Sequence, residues 1–246
     1  MPKRNDWAVV LDLDGTLTPK SVGALMRLVA DFGLGVEARP EVERIRARYS
    51  AMFTSGRLSD EEYLAWLLEE FMSYVDFRMT RSAWRAAIAH VRLREGAAEL
   101  IRELHDADIP TCVVSAASAD FAEHVLEANG VLHLLDAVYA SRLLHDHDDV
   151  VIGWDSTTLV TVGNKGEWSC RFADLHGVPH ERILAVGDSP GDATIGHLRE
   201  NRVLIADALE EAELLRGLGF AHEVFVSGDF HPLAAWLRWR LGLPSR

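Results

Sequence analysis

The residues best suited to chemistry lie near the start of the 246-residue chain, where Asp12 and Asp14 stand two positions apart in Asp-Leu-Asp-Gly-Thr. They directly follow the apolar run 7–11, which predicts a buried strand ending in an acidic turn. At the carboxyl end of a strand in an α/β sheet, backbone amides, a helix start and carboxylates can converge on one phosphate and one metal ion. The pair therefore predicts phosphoryl transfer through an aspartate, although an ordinary solvated turn has the same composition.

Polar residues also follow other predicted strands. The apolar, β-rich run 109–114 leads into a serine, and the run 183–186 leads into Gly-Asp-Ser-Pro-Gly-Asp. Between them, a lysine in Gly-Asn-Lys-Gly precedes a helical pattern. The polar residues at these points are Ser115, Lys165, Asp188 and Asp192. Each has an ordinary structural explanation, such as a strand end or a helix cap, so their order along the chain is the informative feature.

In this order, the four segments resemble the four motifs of the haloacid dehalogenase superfamily of phosphohydrolases. The resemblance covers essentially the whole chain and implies an α/β fold with a doubly wound, Rossmann-like parallel-sheet core. Asp14 favours a phosphatase or phosphotransferase over a dehalogenase, because an alkoxide leaving group needs a proton whereas a halide does not.

The resemblance assigns the chemical steps to the first motif. It implies that Asp12 attacks phosphorus to form an aspartyl-phosphate, while Asp14 protonates the departing oxygen and later deprotonates water. It also implies a Mg²⁺ cofactor held by Asp12, Asp14 through its backbone carbonyl, and Asp188. Asp192 is expected to approach the metal directly or to orient a metal-bound water or the motif lysine.

The phosphate group is expected to be held by the second and third motifs. The resemblance implies that Ser115 and the amide of Ala116 donate hydrogen bonds to phosphate oxygens. Lys165 is expected to hold the phosphate and to balance the negative charge of Asp12. These three residues complete the predicted catalytic and phosphate-binding set.

Helical periodicity dominates the hundred or so residues between the first motif and Ser115. The predicted helices are 22–32, 41–49, 59–74 and 80–90. They resemble the all-helical C1-type cap of superfamily subfamily I, so we expect a core of residues 1–18 and 92–246 and a cap of residues 19–91. Such caps close over the active site, and Phe53, Ser55 and Arg57 are the candidates for contacting the leaving group. An inward-facing Arg57 would favour an acidic group on the substrate.

Within the superfamily, the chain is most similar to the pyrimidine 5'-nucleotidase branch, with phosphoserine phosphatase as the neighbouring branch. This similarity rests on Leu-Arg-Glu-Gly at 93–96 together with the motifs above. Residues 52–55 lack the carboxylate that would meet a nucleobase, and residues 20–22 lack the glutamate that would hold a substrate ammonium. The sequence therefore leaves both a nucleoside monophosphate and a phosphoserine-like compound open as the substrate. So do a phosphotransferase or phosphomutase and a non-catalytic binding protein on this fold.

Composition narrows the class of protein and its partners. A content of 48% hydrophobic and 26% charged residues is ordinary for a globular protein. The net charge of −13 disfavours a nucleic-acid polymer and leaves a small phosphate ester as the expected partner. No apolar stretch approaches the ~20 residues that span a bilayer, and the start lacks a signal peptide's apolar core. With two cysteines expected to be free, these features predict a cytoplasmic protein, and they leave its oligomeric state open.

Two secondary features complete the sequence prediction. Residues 149–154 and 157–162 predict a small hairpin before Lys165. In the final helix, Trp236, Leu237, Trp239 and Leu241 alternate with Arg238 and Arg240, and we expect this helix to dock onto the core rather than onto a membrane.

Overall fold

The computed structural model describes residues 6–20, 36–38, 40–41, 43–45, 47–48, 59–89 and 91–244. Its strands are β1 (Ala8–Leu11), β2 (Thr111–Ser118), β3 (Ala137–Ser141), β4 (Leu143–His145), β5 (Val151–Trp154), β6 (Ile183–Gly187), β7 (Arg202–Ala206) and β8 (Glu223–Val226). Six of them form one sheet in the order β3-β2-β1-β6-β7-β8, and all neighbours in it are parallel. The predicted doubly wound parallel sheet is confirmed.

Helices cover both faces of this sheet. They are α1 (Asp60–Asp76), α2 (Arg81–Ile88), α3 (Ala97–Asp106), α4 (Ala119–Ala128), α5 (Lys165–His176), α6 (Leu209–Leu218) and α7 (His231–Leu241). Alternate residues of β1 pack against the helices on opposite faces of the sheet. Val9 and Leu11 pack with α3, α4 and α7, whereas Ala8 and Val10 pack with α5. A strand buried on both faces must be apolar throughout, which explains its continuous apolar sequence.

The direction of strand order reverses at β1. The chain passes from β1 to β2 and β3 on one side, and later from β6 to β7 and β8 on the other. Leu11 is in register with Val113 on one neighbour and with Val186 on the other. The residues that follow β1, β2 and β6 therefore emerge side by side, at the position where α/β sheets bind ligands.

Helices α1 and α2 lie between β1 and β2 in the chain, as the cap prediction requires. Ser59 and Glu62 form a capping box at the start of α1, and the side chain of Thr80 caps α2. The described residues of 40–48 are also helical, whereas the predicted helix 22–32 lies outside the described residues. The cap boundaries at 19 and 91 remain a prediction.

The small hairpin differs from the sequence prediction. Strand β4 pairs antiparallel with β5, so the hairpin precedes Asp155 instead of surrounding it. The predicted strand 157–162 is wrong, because Asp155 accepts hydrogen bonds from the backbone N–H and the hydroxyl of Thr157 and bends the chain into a short helical turn. The N–H of Val160 then donates to the hydroxyl of Ser141 at 3.0 Å.

The final helix docks onto the core as expected. Leu233, Leu237 and Leu241 of α7 are buried in the same cluster as the sheet, whereas Trp239 is exposed. Across the part of the chain that the structure describes, every helix falls short of the length and apolar character that a membrane crossing requires.

Candidate active site

The first motif forms a single wide turn, Leu13–Leu17, at the carboxyl end of β1, and its backbone is not helical at Asp14 and Gly15. The N–H of Thr18 closes the turn by donating to the carbonyl of Leu13 at 3.0 Å. Gly15 has a φ of +87°, and a Cβ there would lie 2.4 Å from Oδ2 of Asp188. Glycine is required for both reasons, since the left-handed conformation and the close approach each exclude a side chain. The turn leaves Asp12 buried and Asp14 half-buried.

Lys165 joins the first and last motifs. Its Nζ lies 2.8 Å from Oδ1 of Asp12 and 2.7 Å from Oδ1 of Asp192, and all three side chains are buried. Burial alone would lower the pKa of Lys165, but the two carboxylates outweigh it and raise that pKa. The preceding Asn164 fixes the start of α5, because its Nδ2 donates to the carbonyl of Leu159 at 2.9 Å. Lys165 is therefore a permanently charged ammonium beside Asp12.

Asp192 organises the loop after β6. Its Oδ2 accepts hydrogen bonds from the N–H groups of Asp188 and Ser189, both at 3.0 Å, and from the hydroxyl of Ser189 at 2.9 Å. Burial would raise the pKa of Asp192, but Lys165 and these donors hold it below its usual range. A Cβ at Gly187 would lie 2.4 Å from the Cβ of Asp192, so glycine is needed there too.

Asp12 and Asp188 share the hydroxyl of Thr16, which lies 3.1 Å from Oδ2 of Asp12 and 3.3 Å from Oδ1 of Asp188. Burial raises the pKa of Asp12 to about 6, against the opposing effect of Lys165. Burial also raises the pKa of Asp188 well above its usual range, and the charges of Asp192 and Asp12 add to this. The cluster is rich in negative charge that a cation would stabilise.

The donor set suits Mg²⁺. Asp12, Asp188 and Asp192 each offer a carboxylate oxygen, and these atoms lie within 4.8 Å of one another. An all-oxygen, buried and anionic donor set is the one that a hard divalent cation prefers. The half-buried Asp146 and the exposed His147 and Asp148 also form a group with metal-binding side chains, in the loop between β4 and β5.

Lys20 is a second cation at the cluster that the sequence did not indicate. Its Nζ lies 3.0 Å from Oδ2 of Asp188 and also pairs with Glu211 of α6. Burial would lower the pKa of Lys20, but Asp188 and Glu211 outweigh it and raise that pKa. Lysine at this position has no motif that would distinguish it from a surface residue.

Ser115 is the fifth residue of β2, which continues to Ser118 instead of ending at residue 114 as the sequence predicts. Its side chain is buried, and its Oγ accepts a hydrogen bond from the N–H of Ala117 at 3.2 Å. Accepting this bond leaves the hydroxyl proton to donate elsewhere. The pairing of β2 with β3 is irregular between Val114 and Ser118, so the backbone around Ser115 and the half-buried Ala116 departs from a regular strand.

Arg94 is the second residue whose role the sequence did not reveal. Its Nε donates to the carbonyl of Thr16 at 3.0 Å and its Nη2 to the carbonyl of Gly15 at 2.8 Å. Its Nη1 lies 2.7 Å from Oδ1 of Asp207 and also donates to the carbonyls of Ser227 and Gly228. The buried guanidinium thus connects the turn Leu13–Leu17 to the segments that follow β7 and β8. The leaving-group candidates Phe53, Ser55 and Arg57 lie outside the described residues.

Known proteins share parts of this sequence. A phosphoserine phosphatase from Wolinella succinogenes is 31% identical over 115 residues, which are 47% of this chain and 53% of that protein. The chain thus matches about half the length of this relative.

Solved structures share the fold. A phospho-aspartyl intermediate analogue of phosphoserine phosphatase superposes with a TM-score of 0.64 at 19% identity, covering 94% of this chain and 98% of that chain. Cytosolic 5'-nucleotidase IIIB bound to cytidine gives a TM-score of 0.67 at 21% identity, covering 92% of this chain and 81% of that chain. The family model of haloacid dehalogenase-like hydrolases matches residues 9–197, well over half of the sequence. The chain belongs to the haloacid dehalogenase-like hydrolase family.

Proposed function

We propose that the protein is a Mg²⁺-dependent phosphatase that hydrolyses small phosphate monoesters through an aspartyl-phosphate on Asp12. The observation that carries this proposal is the buried contact between Asp12 and Lys165, next to Asp188 at the carboxyl end of the sheet. A carboxylate beside a fixed ammonium and a cation site can approach an anionic phosphate without net repulsion. Family membership supports the same reaction class.

Two carboxylates have different roles in the proposed reaction. An oxygen of Asp12 bonds to phosphorus while the ester P–O bond breaks, and Asp14 gives its proton to the departing alcohol. Asp14 then takes a proton from water, whose oxygen bonds to phosphorus and releases Asp12 and inorganic phosphate. The wide turn at Leu13–Leu17 supports these roles, because it presents both carboxylates at one strand end.

Bound Mg²⁺ would neutralise charge between the phosphate and the carboxylates. We assign it to Asp12, the backbone carbonyl of Asp14, and Asp188. The carboxylate of Asp192 already accepts hydrogen bonds from Lys165 and Ser189. These bonds favour a role for Asp192 in positioning Lys165 and the loop that carries Asp188, rather than as a direct metal ligand.

We assign phosphate binding to the hydroxyl of Ser115, the backbone amide of Ala116 and the ammonium of Lys165.

We also propose that residues 19–91 form a cap over a core of residues 1–18 and 92–246, which the positions of α1 and α2 between β1 and β2 support. Phe53 and Arg57 stay candidates for the leaving group.

The substrate is proposed to be a small phosphorylated metabolite. The named relatives act as phosphoserine phosphatase or 5'-nucleotidase, so a phosphoserine-like compound and a nucleoside monophosphate are the first compounds to test. The net charge of −13 opposes a nucleic-acid polymer as partner. Free Cys112 and Cys170 fit the reducing cytoplasm, which we propose as the location.

The test is phosphate release from a panel of nucleoside monophosphates, phosphoamino acids, sugar phosphates and p-nitrophenyl phosphate, with Mg²⁺ and with a chelator. Asp12→Asn removes the nucleophile, and Asp148→Asn makes the same change at an exposed site as the control. We expect release by the wild type and by the control, and none from Asp12→Asn or after chelation. Release that persists in Asp12→Asn would exclude the aspartyl-phosphate route.

A further inference from the structure

Lys20 binds a carboxylate that the proposed function assigns to Mg²⁺. Its Nζ lies 3.0 Å from Oδ2 of Asp188 and 3.5 Å from the backbone carbonyl oxygen of the same residue. The side chain of Asp188 is 5% exposed, whereas that of Lys20 is 38% exposed. The ammonium thus reaches the buried carboxylate from the protein surface, and the proposed reaction assigns no step to this lysine.

Both oxygens of the Asp188 carboxylate have a donor in the structure. Oδ2 binds Lys20, and Oδ1 lies 3.3 Å from the hydroxyl of Thr16, which is also 3.1 Å from Oδ2 of Asp12. A divalent cation that binds Asp188 must therefore displace Lys20 or share one carboxylate with it. Two cations on one carboxylate repel each other, so displacement of the ammonium is the favourable outcome.

Glu211 offers Lys20 a second carboxylate. The ammonium pairs with Oε1 of Glu211, in the first turn of α6. The other carboxylate oxygen, Oε2, accepts a hydrogen bond from the N–H of Asp207 at 3.0 Å, which fixes the side chain of Glu211 beside the site. Lys20 can therefore leave Asp188 and keep an ion pair with a positioned carboxylate.

We propose that Lys20 is a displaceable internal cation, which neutralises Asp188 in the metal-free protein and is transferred to Glu211 when Mg²⁺ binds. This inference concerns the regulation of the metal site and rests on the proposed Mg²⁺-dependent function. The exchange weakens Mg²⁺ binding, because each binding event breaks the ion pair between Lys20 and Asp188. It also stabilises the metal-free fold, because a buried carboxylate keeps a cation there.

The exchange gives Glu211 an indirect effect on the metal. Among the described residues, the carboxylates grouped closely enough to share one ion here are Asp12, Asp188 and Asp192, and Glu211 is not one of them. Without Glu211, Lys20 has Asp188 as its remaining carboxylate and competes more strongly with Mg²⁺. If Glu211 instead served to hold Lys20 on Asp188, its loss would loosen the lysine and tighten Mg²⁺ binding.

The experiment is a double-mutant cycle in which calorimetry measures the Kd of Mg²⁺ for the metal-free protein. We expect Glu211→Gln to weaken binding roughly two- to fivefold and Lys20→Met to tighten it by a similar factor, the size of effect that half-exposed ion pairs produce. In the double variant, Glu211→Gln should have no effect of its own, because the lysine through which it acts is gone.

Glu210→Gln is the matched control, since it removes the same charge one residue earlier at an exposed position of α6. It measures how far the loss of any negative charge near the site weakens Mg²⁺ binding, and we expect less than a twofold change. The effect of Glu211→Gln is read relative to this control.

Thermal unfolding supplies a second readout that does not depend on catalysis. In the metal-free protein, Lys20→Met should lower the melting temperature by roughly 2–4 °C, because Asp188 loses its cation. Saturating Mg²⁺ should then raise the melting temperature of Lys20→Met by more than it raises that of the wild type. The same melting curves show that each variant is folded before its Kd is compared.

The outcomes separate this inference from the proposed function. The inference is overturned if Glu211→Gln binds Mg²⁺ as tightly as Glu210→Gln does, if its effect persists beside Lys20→Met, or if Lys20→Met alone binds Mg²⁺ more weakly. In each case, Mg²⁺-dependent hydrolysis of p-nitrophenyl phosphate that Asp12→Asn abolishes leaves the phosphatase proposal standing. If the wild type binds no Mg²⁺ and hydrolyses none of the panel, both proposals are wrong.

Discussion

Replacing Arg94 by methionine should destabilise the protein and slow catalysis, although Arg94 is not expected to touch the substrate. The methionine fills most of the same space but removes the donors to the carbonyls of Gly15 and Thr16 and the ion pair with Asp207. The carbonyls then lose bonds that fix the shape of the catalytic turn. Their loss should let Asp14 shift relative to the phosphate.

The loss in free energy of unfolding can be worked out from the burial of the two side chains. Breaking a buried ion pair costs about 3–5 kcal/mol. The Arg94 side chain is 1% exposed, but Asp207 is 39% exposed and can regain water, so the lower end of that range applies. For a protein of this size, about 3 kcal/mol corresponds to a fall in melting temperature of roughly 6–12 °C. Arg94→Lys keeps the charge and fewer of the bonds, and should lose about half as much.

Thermal unfolding and steady-state kinetics would check this prediction. We expect kcat to fall about tenfold or more with KM little changed, because the misplaced group acts in the chemical step. Arg102→Met, at a half-exposed position on α3, is the control and should melt close to the wild type. If Arg94→Met melts within 3 °C of the wild type, roughly the effect of 1 kcal/mol, other contacts hold the turn and the reasoning is wrong.

Three further changes test the charges and the packing of the site. Lys20→Met should tighten Mg²⁺ binding roughly two- to fivefold in calorimetry, since it removes a half-exposed competing cation; weaker binding would contradict this. Gly187→Ala should cost about 1–3 kcal/mol and most of the activity by displacing Asp192, whereas Gly217→Ala, with open space around it, should not; equal melting curves would exclude this clash. Burial of Glu70 in α1 raises its pKa from its ordinary 4.5 to about 7, so it contributes stability that is fully present below pH 4.5 and lost as pH rises through 7. Relative to Glu70→Gln, the wild type should therefore lose about 3 kcal/mol between pH 4.5 and 8 in denaturant titrations, and parallel pH profiles would refute it.

The central strands of the sheet could be predicted because they are buried on both faces. Strands β1 and β6 and residues 203–206 of β7 are continuous apolar runs, and the polar residue after each run marks the carboxyl end of a strand. The hairpin was misplaced for the opposite reason. Strand β4 has three residues and no alternation long enough to recognise, whereas the β-branched residues of 157–162 predict a strand that the hydrogen bond from Thr157 to Asp155 prevents.

The residues of the site also differ in whether the sequence around them predicts their role. Asp12 and Lys165 lie in short motifs, so the sequence around them predicts their place in the site. Arg94 acts on Gly15 and Thr16, 79 and 78 residues earlier in the chain, and such a partner cannot be inferred from the sequence around the arginine. Glu70 lies in an acidic helix where Glu69 and Glu70 are equivalent by composition; only the direction in which the helix packs buries one of them.

Charge balance at the ends of β1 and β6 governs phosphate recognition in the proposed reaction. Two lysines, Lys165 and Lys20, contact the buried carboxylates at the ends of β1 and β6, and a bound Mg²⁺ would add the charge that admits a phosphate dianion. A change at Lys165 should therefore weaken every phosphate ester alike, because its ammonium lies beside Asp12 and Asp192 whichever alcohol the ester carries.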